Sequence, residues 1–341
     1  MKEETKRRWK VLASAIKNKQ VLKNSDFENG SLIQTDLDQK NQVFIDLEKW
    51  GLNVNVNLID QNNNDTSLLR SNKNITVPNN DQIQNNIIRL SIYPPNITYN
   101  NEILTGFNNT GNVKIWPAEQ VLTRFVFGCL LENPNTCSSL FASDAHCELR
   151  KLLNLTLSLS SQKSSPINLN FLELGGGYSS LASLFLAKFI KLNKNQIKLS
   201  DELSTKNTKI YNNYTFHVTD GNQTSISHCQ KLIKLNNLEN IVSASLLRWD
   251  DPSTYITNIN FNYLLIADCF FFDDFREPLK NTVLYYFEKN PDLKVVCMAP
   301  SRSGTFERFL GLFDEERVQC TTPVLWPEDD SQIYLSILFI K

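Results

Sequence analysis

The stretch Phe171-Leu172-Glu173-Leu174-Gly175-Gly176-Gly177-Tyr178-Ser179-Ser180 decides the fold. Apolar residues run straight into three glycines, and apolar periodicity resumes directly afterwards. That pattern reads as a buried strand over Ile167–Leu172, a glycine turn, and a helix over Ser179–Leu192. Glycines let the backbone take positive φ and approach a ligand closely. The helix that follows offers free N–H groups at its start. Against the GxGxxG pattern of dinucleotide sites the stretch is incomplete, since Ser180 stands where the third glycine belongs. The ExGxG pattern (Glu173, Gly175, Gly177) is complete, and its acid suits a cationic or hydroxyl group better than a pyrophosphate. The plainer alternative is an ordinary glycine-rich turn between strand and helix.

Working outward, strands are expected at Tyr214–Thr219, Ile241–Leu247, Tyr263–Ala267 and Leu293–Ala299. Helices are expected at Gln223–Leu235, Phe275–Glu288 and Thr305–Glu316. Such alternation implies an α/β protein, Rossmann-like, with a mostly parallel sheet covered on both faces. Val318–Thr322 and Gln332–Ile340 are two consecutive strands, which implies a C-terminal antiparallel hairpin. Upstream, Pro117 opens a helix running to about Leu131.

The first part of the chain reads differently. Thr5–Gln20 has Trp9, Leu12, Ala13 and Ile16 at helical spacing among basic residues. Short β-like stretches follow at Gln42–Leu47, Asn53–Leu58 and Ile87–Tyr93. The polar run 60–86 lacks the apolar area needed to order itself. The expected organisation is a small helix and antiparallel β appendage over 1–104 with a disordered insert at 60–86. A larger α/β domain follows over 105–341, with inserts at 133–166 and 193–213.

Composition narrows the function classes. The chain has 341 residues, 41% of them hydrophobic, and a formal net charge of −1. No global field draws it to nucleic acid or anionic lipid. Seven scattered cysteines without a CxxC suggest a reduced compartment, cytoplasmic or nuclear. No apolar run approaches the ~18 residues of a membrane span, and the opening residues lack the apolar core of a signal peptide. Cys137, His146 and Cys147 lack a fourth spaced ligand, so no metal is expected.

Four further segments carry candidate site residues. Asp220 ends the second strand, in Val218-Thr219-Asp220-Gly221, where a carboxylate can take both hydroxyls of a ribose. Alternatively it caps the next helix. Leu247-Arg248-Trp249-Asp250 ends the third strand and sets an indole where it can stack on adenine, or simply join the core. Ile266-Ala267-Asp268-Cys269-Phe270-Phe271-Phe272 ends the fourth strand, placing one carboxylate beside three rings. A solvated helix cap next to core phenylalanines is the bland reading there. Trp116, before Pro117-Ala118-Glu119, is by itself a buried tryptophan at a capped helix start.

Taken together and in this order, the segments resemble the class I, seven-strand protein-lysine methyltransferase family that includes the calmodulin-lysine enzyme. The resemblance is close over Phe107–Glu119, Leu172–Ala182, Val218–Cys229, Leu246–Asp250, Ala267–Phe275 and Ala299–Phe306, and extends to Arg8-Trp9-Lys10-Val11-Leu12. It implies the methyltransferase form of the doubly wound sheet, marked by the terminal hairpin, and S-adenosyl-L-methionine as cofactor. It implies Trp116, Glu173, Gly175, Gly176, Gly177, Asp220, Trp249 and Ala267 at that cofactor. Asp268 and Phe271 are implied at the substrate, from the DxxY/F motif. Phe271 stands where many relatives carry Tyr, so no phenol oxygen is available there. The implied activity is methylation, to the trimethyl level, of a lysine of calmodulin. The expected enzyme is a monomer that engages no nucleic acid and no membrane. Related enzymes acting on a chaperone or elongation factor carry alike motifs. A nicotinamide-dependent oxidoreductase is disfavoured by Glu173, Ser180 and the hairpin, and a non-catalytic cofactor-binding scaffold is the remaining class.

Overall fold

The computed structural model describes residues 115–130, 168–203, 213–300 and 304–313, residue 92, and the strand segments 33–36, 42–46, 87–90, 318–320, 324–325 and 332–339. The expected N-terminal helix, the Asn53–Leu58 strand and the runs 60–86 and 133–166 lie outside the described residues.

Three short strands, β1 (Ile33–Asp36), β2 (Gln42–Asp46) and β3 (Ile87–Leu90), form an antiparallel sheet in the order β1-β2-β3. Leu90 and Ile92, at its end, are buried in the core of the main sheet's first face.

The main sheet is built from β4 (Asn168–Leu174), β5 (Asn213–Asp220), β6 (Val242–Leu246), β7 (Tyr263–Ala267), β8 (Lys294–Pro300), β9 (Val318–Cys320), β10 (Val324–Leu325) and β11 (Gln332–Phe339). Its order is β10-β11-β8-β7-β4-β5-β6, with β9 also paired to β11. The five strands from β6 to β8 pair in parallel. The last strand, β11, runs antiparallel to β8 on one side and to β9 and β10 on the other. The terminal hairpin is therefore present, with its second strand inside the sheet and two short strands at the edge.

Alternation along each strand explains the two faces. Phe171, Tyr263, Leu265, Val296 and Met298 belong to one buried cluster, and Leu172, Leu174, Leu264, Ile266, Val295 and Cys297 to the other. Helices α1 (Pro117–Leu130), α2 (Leu181–Leu203) and α3 (Gln223–Leu235) cover the first face. Helices α4 (Arg276–Lys289) and α5 (Thr305–Leu310) cover the second. Phe171 is stacked between Phe216 and Tyr263, with ring centroids 4.8 and 4.9 Å apart. Burying each such ring contributes about 1.5–3 kcal/mol. Helix α1 is buried all round from Ala118 to Cys129, which fits its place against α2, β7, β8 and β11.

Strands β1 and β10 were not expected from the sequence, several bounds differ by one or two residues, and two helix ends differ by more. Helix α2 continues to Leu203, beyond the expected end at Leu192, into the segment read as a polar insert. Helix α5 stops at Leu310 instead of Glu316, because the chain turns at Gly311.

Strands β5 and β6 continue the sheet to one side of β4, and β7 and β8 continue it to the other. The order thus reverses between β4 and β7, which opens a crevice at the carboxyl ends of those strands. No helix among the described residues is long and apolar enough to cross a membrane.

Candidate active site

A pocket of about 1150 Å³, including its open mouth, lies at that crevice. All ten residues singled out in the sequence line it: Trp116, Glu173, Gly175, Gly176, Gly177, Asp220, Trp249, Ala267, Asp268 and Phe271.

Its floor is the glycine turn after β4. Gly175 and Gly177 have φ of +67° and +60°, which only glycine adopts without strain. A Cβ on Gly175 would sit 2.5 Å from Cys269 Sγ and 3.2 Å from Trp249 Cζ2. The turn is thus pressed between the ends of β6 and β7, and glycine leaves the pocket its width. Gly176 donates its N–H to Thr219 O at 2.9 Å, tying the turn to β5.

Asp220 closes β5 and completes that tie. Its Oδ2 accepts from Gly177 N at 3.0 Å and its Oδ1 from Asn222 N at 2.8 Å. The cap of α3 is Asn222, whose side chain accepts from Thr224 N, so Asp220 does not serve as that cap. Burial raises the Asp220 carboxyl above its ordinary value, and the two N–H donors oppose that rise. Each oxygen keeps a lone pair for a hydroxyl donor.

Beyond β6 the chain carries Trp249 over the turn, half-buried against the second core cluster. Phe275 meets its indole edge-on at 6.5 Å. Tyr255 holds the loop by donating from its hydroxyl to Trp249 O at 2.9 Å, and it also pairs with Thr282 Oγ1 at 2.7 Å. At the mouth, exposed Arg248 pairs with Asp250 at 3.2 Å.

The fourth wall follows β7. Asp268 has φ of +53°, is 8% exposed, and donates its N–H to Met298 O at 2.8 Å. Asp tolerates this left-handed conformation better than most residues. The Cys269 thiol, held among Ala267 O and Leu174 O, is pushed well above its ordinary pKa by burial and stays neutral. Phe271 and Phe272 both line the pocket, their centroids 4.2 Å apart. Phe270, the first of the three rings after Asp268, follows the bland reading of that segment. It is 1% exposed and packs on Phe306 and Phe309 at 5.0 and 4.6 Å, inside the second core.

Glu119 is the principal residue that the sequence reading passed over. It stands one turn into α1, just after Trp116, and lines the pocket. Its Oε1 accepts from Ser179 Oγ and, at 2.7 Å, from Leu181 N. Burial pushes its carboxyl up to about 7. Glu173, on β4, is pushed up to about 8, first by burial and then by the charge of Glu119, while Ser183 N donates to its Oε2 at 3.1 Å. The available signal was an acid in the first turn of the proline-started helix. Asn222, Ser225, Leu247 and Phe275 also line the pocket without having been singled out. Among the described residues no cluster of His, Cys, Asp and Glu is arranged to hold a metal.

A family model described as lysine methyltransferase matches residues 98–316. Among solved structures, the human methyltransferase 10 domain containing protein aligns at 14% identity, covering 65% of this chain and 94% of its own, with a TM-score of 0.39. The N-terminal domain of human METTL16 in complex with SAH aligns at 12% identity over 66% of this chain and 82% of its own, with a TM-score of 0.39. TrmK of M. capricolum, in complex with the natural cofactor product S-adenosyl-homocysteine, aligns at 10% identity over 58% and 69%, with a TM-score of 0.32. Likeness this distant carries no argument about what the chain acts on.

Proposed function

The chain belongs to the lysine methyltransferase family, and on that premise we propose that it transfers methyl groups from S-adenosyl-L-methionine to a lysine side chain of calmodulin, up to the trimethyl level. The observation that carries this reading is the convergence of Gly175–Gly177, Asp220, Trp249 and Asp268 on one pocket at the sheet's carboxyl edge.

The walls fit the donor in three respects. A side chain on Gly175 would fill the cradle. Asp220 presents free lone pairs half-way along the edge, suited to a ribose diol. The half-buried Trp249 face lies beyond it, suited to an adenine. When bound, S-adenosylmethionine supplies a methyl group made electrophilic by its sulfonium sulfur.

The chain's own residues then have two tasks. The first is alignment. A free lysine has a pKa of about 10.4, so presenting it neutral near pH 7.4 costs about 4 kcal/mol. Placing the amine in line with the methyl carbon can contribute ~7–11 kcal/mol, so alignment outweighs deprotonation and no strong base is required. Asp268 accepts a hydrogen bond from the amine and orients its lone pair. The second task is accommodating the cation that grows on nitrogen. Ring faces of Phe271, Phe272 and Trp116 at the pocket wall stabilise it by ~0.5–2 kcal/mol each. When bound, the donor would yield this methyl to the amine held by Asp268, with the C–S electron pair remaining on its sulfur. A proton leaves nitrogen for solvent before each further methylation.

Calmodulin as target rests on the resemblance of the six motif segments, and the acidity of that partner suits the seven basic and two acidic residues in 1–20. The test is transfer of tritiated methyl from S-adenosylmethionine into a hypomethylated cell extract and into purified unmethylated calmodulin, followed by amino-acid analysis. Label in trimethyllysine of calmodulin supports the reading. Label in a chaperone or elongation factor, with none in calmodulin, replaces the target. No label in any protein refutes the enzyme.

A further inference from the structure

Two carboxylates from different elements close on the amino end of α2. Glu119, on α1, accepts from Leu181 N, the first residue of that helix. Glu173, on β4, accepts from Ser183 N two residues further on. Both line the pocket and are 6% and 2% exposed. A helix N-terminus carries roughly half a positive charge, enough to favour one carboxylate but not two buried in the same pocket.

Among the described residues that line the pocket, the groups near the pair are acids or neutral thiols. From the end of β7 Asp268 faces Glu119, and from the end of β5 Asp220 adds a further acid. Cys229 of α3 and Cys269 are thiols raised by burial, so they contribute no charge near neutral pH. Among the described residues lining the pocket, the basic one is Arg248, which is at the mouth and paired with Asp250. The order of strands gives the pair a position relative to the ligand. Trp249 follows β6, Asp220 ends β5 and Glu173 lies on β4. A nucleoside with adenine at Trp249 and ribose at Asp220 therefore points its amino-acid end toward Glu173 and Glu119.

Resting on the donor-site reading above, we infer that Glu119 and Glu173 share a single proton in the ligand-free protein, and that the donor's α-ammonium group displaces it on binding. Glu119 is then a positioning residue: its ionised carboxylate clasps Ser179 and Leu181 and holds the glycine turn beneath the ligand. Burial and mutual repulsion, which push the two carboxyls up to about 7 and about 8, act in the required direction.

The experiment is titration calorimetry of the full chain near pH 7.5 in buffers of different ionisation enthalpy, with two probes. S-adenosylhomocysteine carries the α-ammonium, and 5′-methylthioadenosine is the same nucleoside thioether without it. Binding of the first should release about one proton per site, and binding of the second none. Affinity for S-adenosylhomocysteine should rise roughly tenfold between about pH 7 and 8 and level off above that. Glu119→Gln should reduce the release, because burial alone then raises Glu173, whereas Ser179→Ala should weaken binding and keep the full release. S-adenosylhomocysteine binding without proton exchange, or equal release by both probes, would overturn the shared proton while leaving the donor site intact. If neither probe binds, the donor-site reading falls and the inference with it. Should Glu119→Gln not fold, the contrast between the two probes on the wild-type chain decides alone.

Discussion

Gly177 donates its backbone N–H to Oδ2 of Asp220 at 3.0 Å, across 43 residues of sequence, so the glycine turn and the acid ending β5 form one unit. Two N–H groups depend on this carboxylate, that of Gly177 and that of Asn222. Asp220→Ala leaves both without their acceptor and should cost about 1–3 kcal/mol of stability. It should also weaken S-adenosylhomocysteine by at least roughly tenfold. Denaturant melts and calorimetry measure the two effects; unchanged affinity would remove Asp220 from the donor site.

Gly175→Ala should damage the fold and the pocket together. Its φ of +67° alone costs an L-residue about 1–2 kcal/mol. The new Cβ would also meet Cys269 Sγ at 2.5 Å. Adding Cys269→Ala should recover part of the lost stability by removing the sulfur, while the backbone strain remains. A double variant no more stable than Gly175→Ala would show that the thiol contact is unimportant.

Three adjacent rings should separate into two behaviours. Phe270→Ala empties a site inside the second core and should cost about 3–5 kcal/mol of stability with donor affinity retained in the folded fraction. Phe272→Leu should leave donor affinity alone and change the KM for the protein substrate. Trp249→Ala should weaken nucleoside binding by about 1–3 kcal/mol. Equal effects of Phe270 and Phe272 variants on substrate KM would contradict the division seen here.

Asp268 tests the alignment argument. Its φ of +53° is one that asparagine also accepts, so Asp268→Asn changes charge with little backbone penalty. Donor affinity should hold while kcat falls, by about 10- to 1000-fold. Turnover at the wild-type level would exclude Asp268 from orienting the amine.

The buried acids fix the sign of a pH dependence. Glu119 and Glu173 have folded-state values of about 7 and about 8, above the ordinary 4.5. Between those limits the folded state holds more protons than the unfolded one, so stability falls as pH rises. The ligand-free protein should be most resistant to heat near pH 5 and lose Tm steadily toward pH 8. The decline should shrink in Glu119→Gln. A Tm rising over that window would reverse the assignment of these acids as protonated.

Much of the site was legible because it sits at strand ends, where local pattern and function coincide. An apolar run followed by glycines fixes a βα turn whatever surrounds it, and Asp220, Trp249 and Asp268 each lie at or just past the end of a strand that hydrophobic patterning finds. Glu119 was hidden because its role depends on α1 crossing the sheet to reach the start of α2, a contact no local spacing encodes. Phe270, Phe271 and Phe272 looked alike for a related reason: past the end of β7 the period-two alternation stops, and only packing against α5 sends Phe270 inward. The cap of α3 was ambiguous between Asp220 and Asn222, since both are acceptors near the same helix start. Geometry resolved it, with Asn222 bonded to Thr224 N.

The central claim is that a sulfonium nucleoside lies along the edge from Trp249 through Asp220 to the glycine turn. A crystal structure of the full chain with S-adenosylhomocysteine tests it most directly. The account predicts adenine against the Trp249 indole, the ribose hydroxyls on Asp220, and the sulfur facing Asp268 and Phe271. A ligand bound elsewhere, or one whose ribose avoids Asp220, would contradict it.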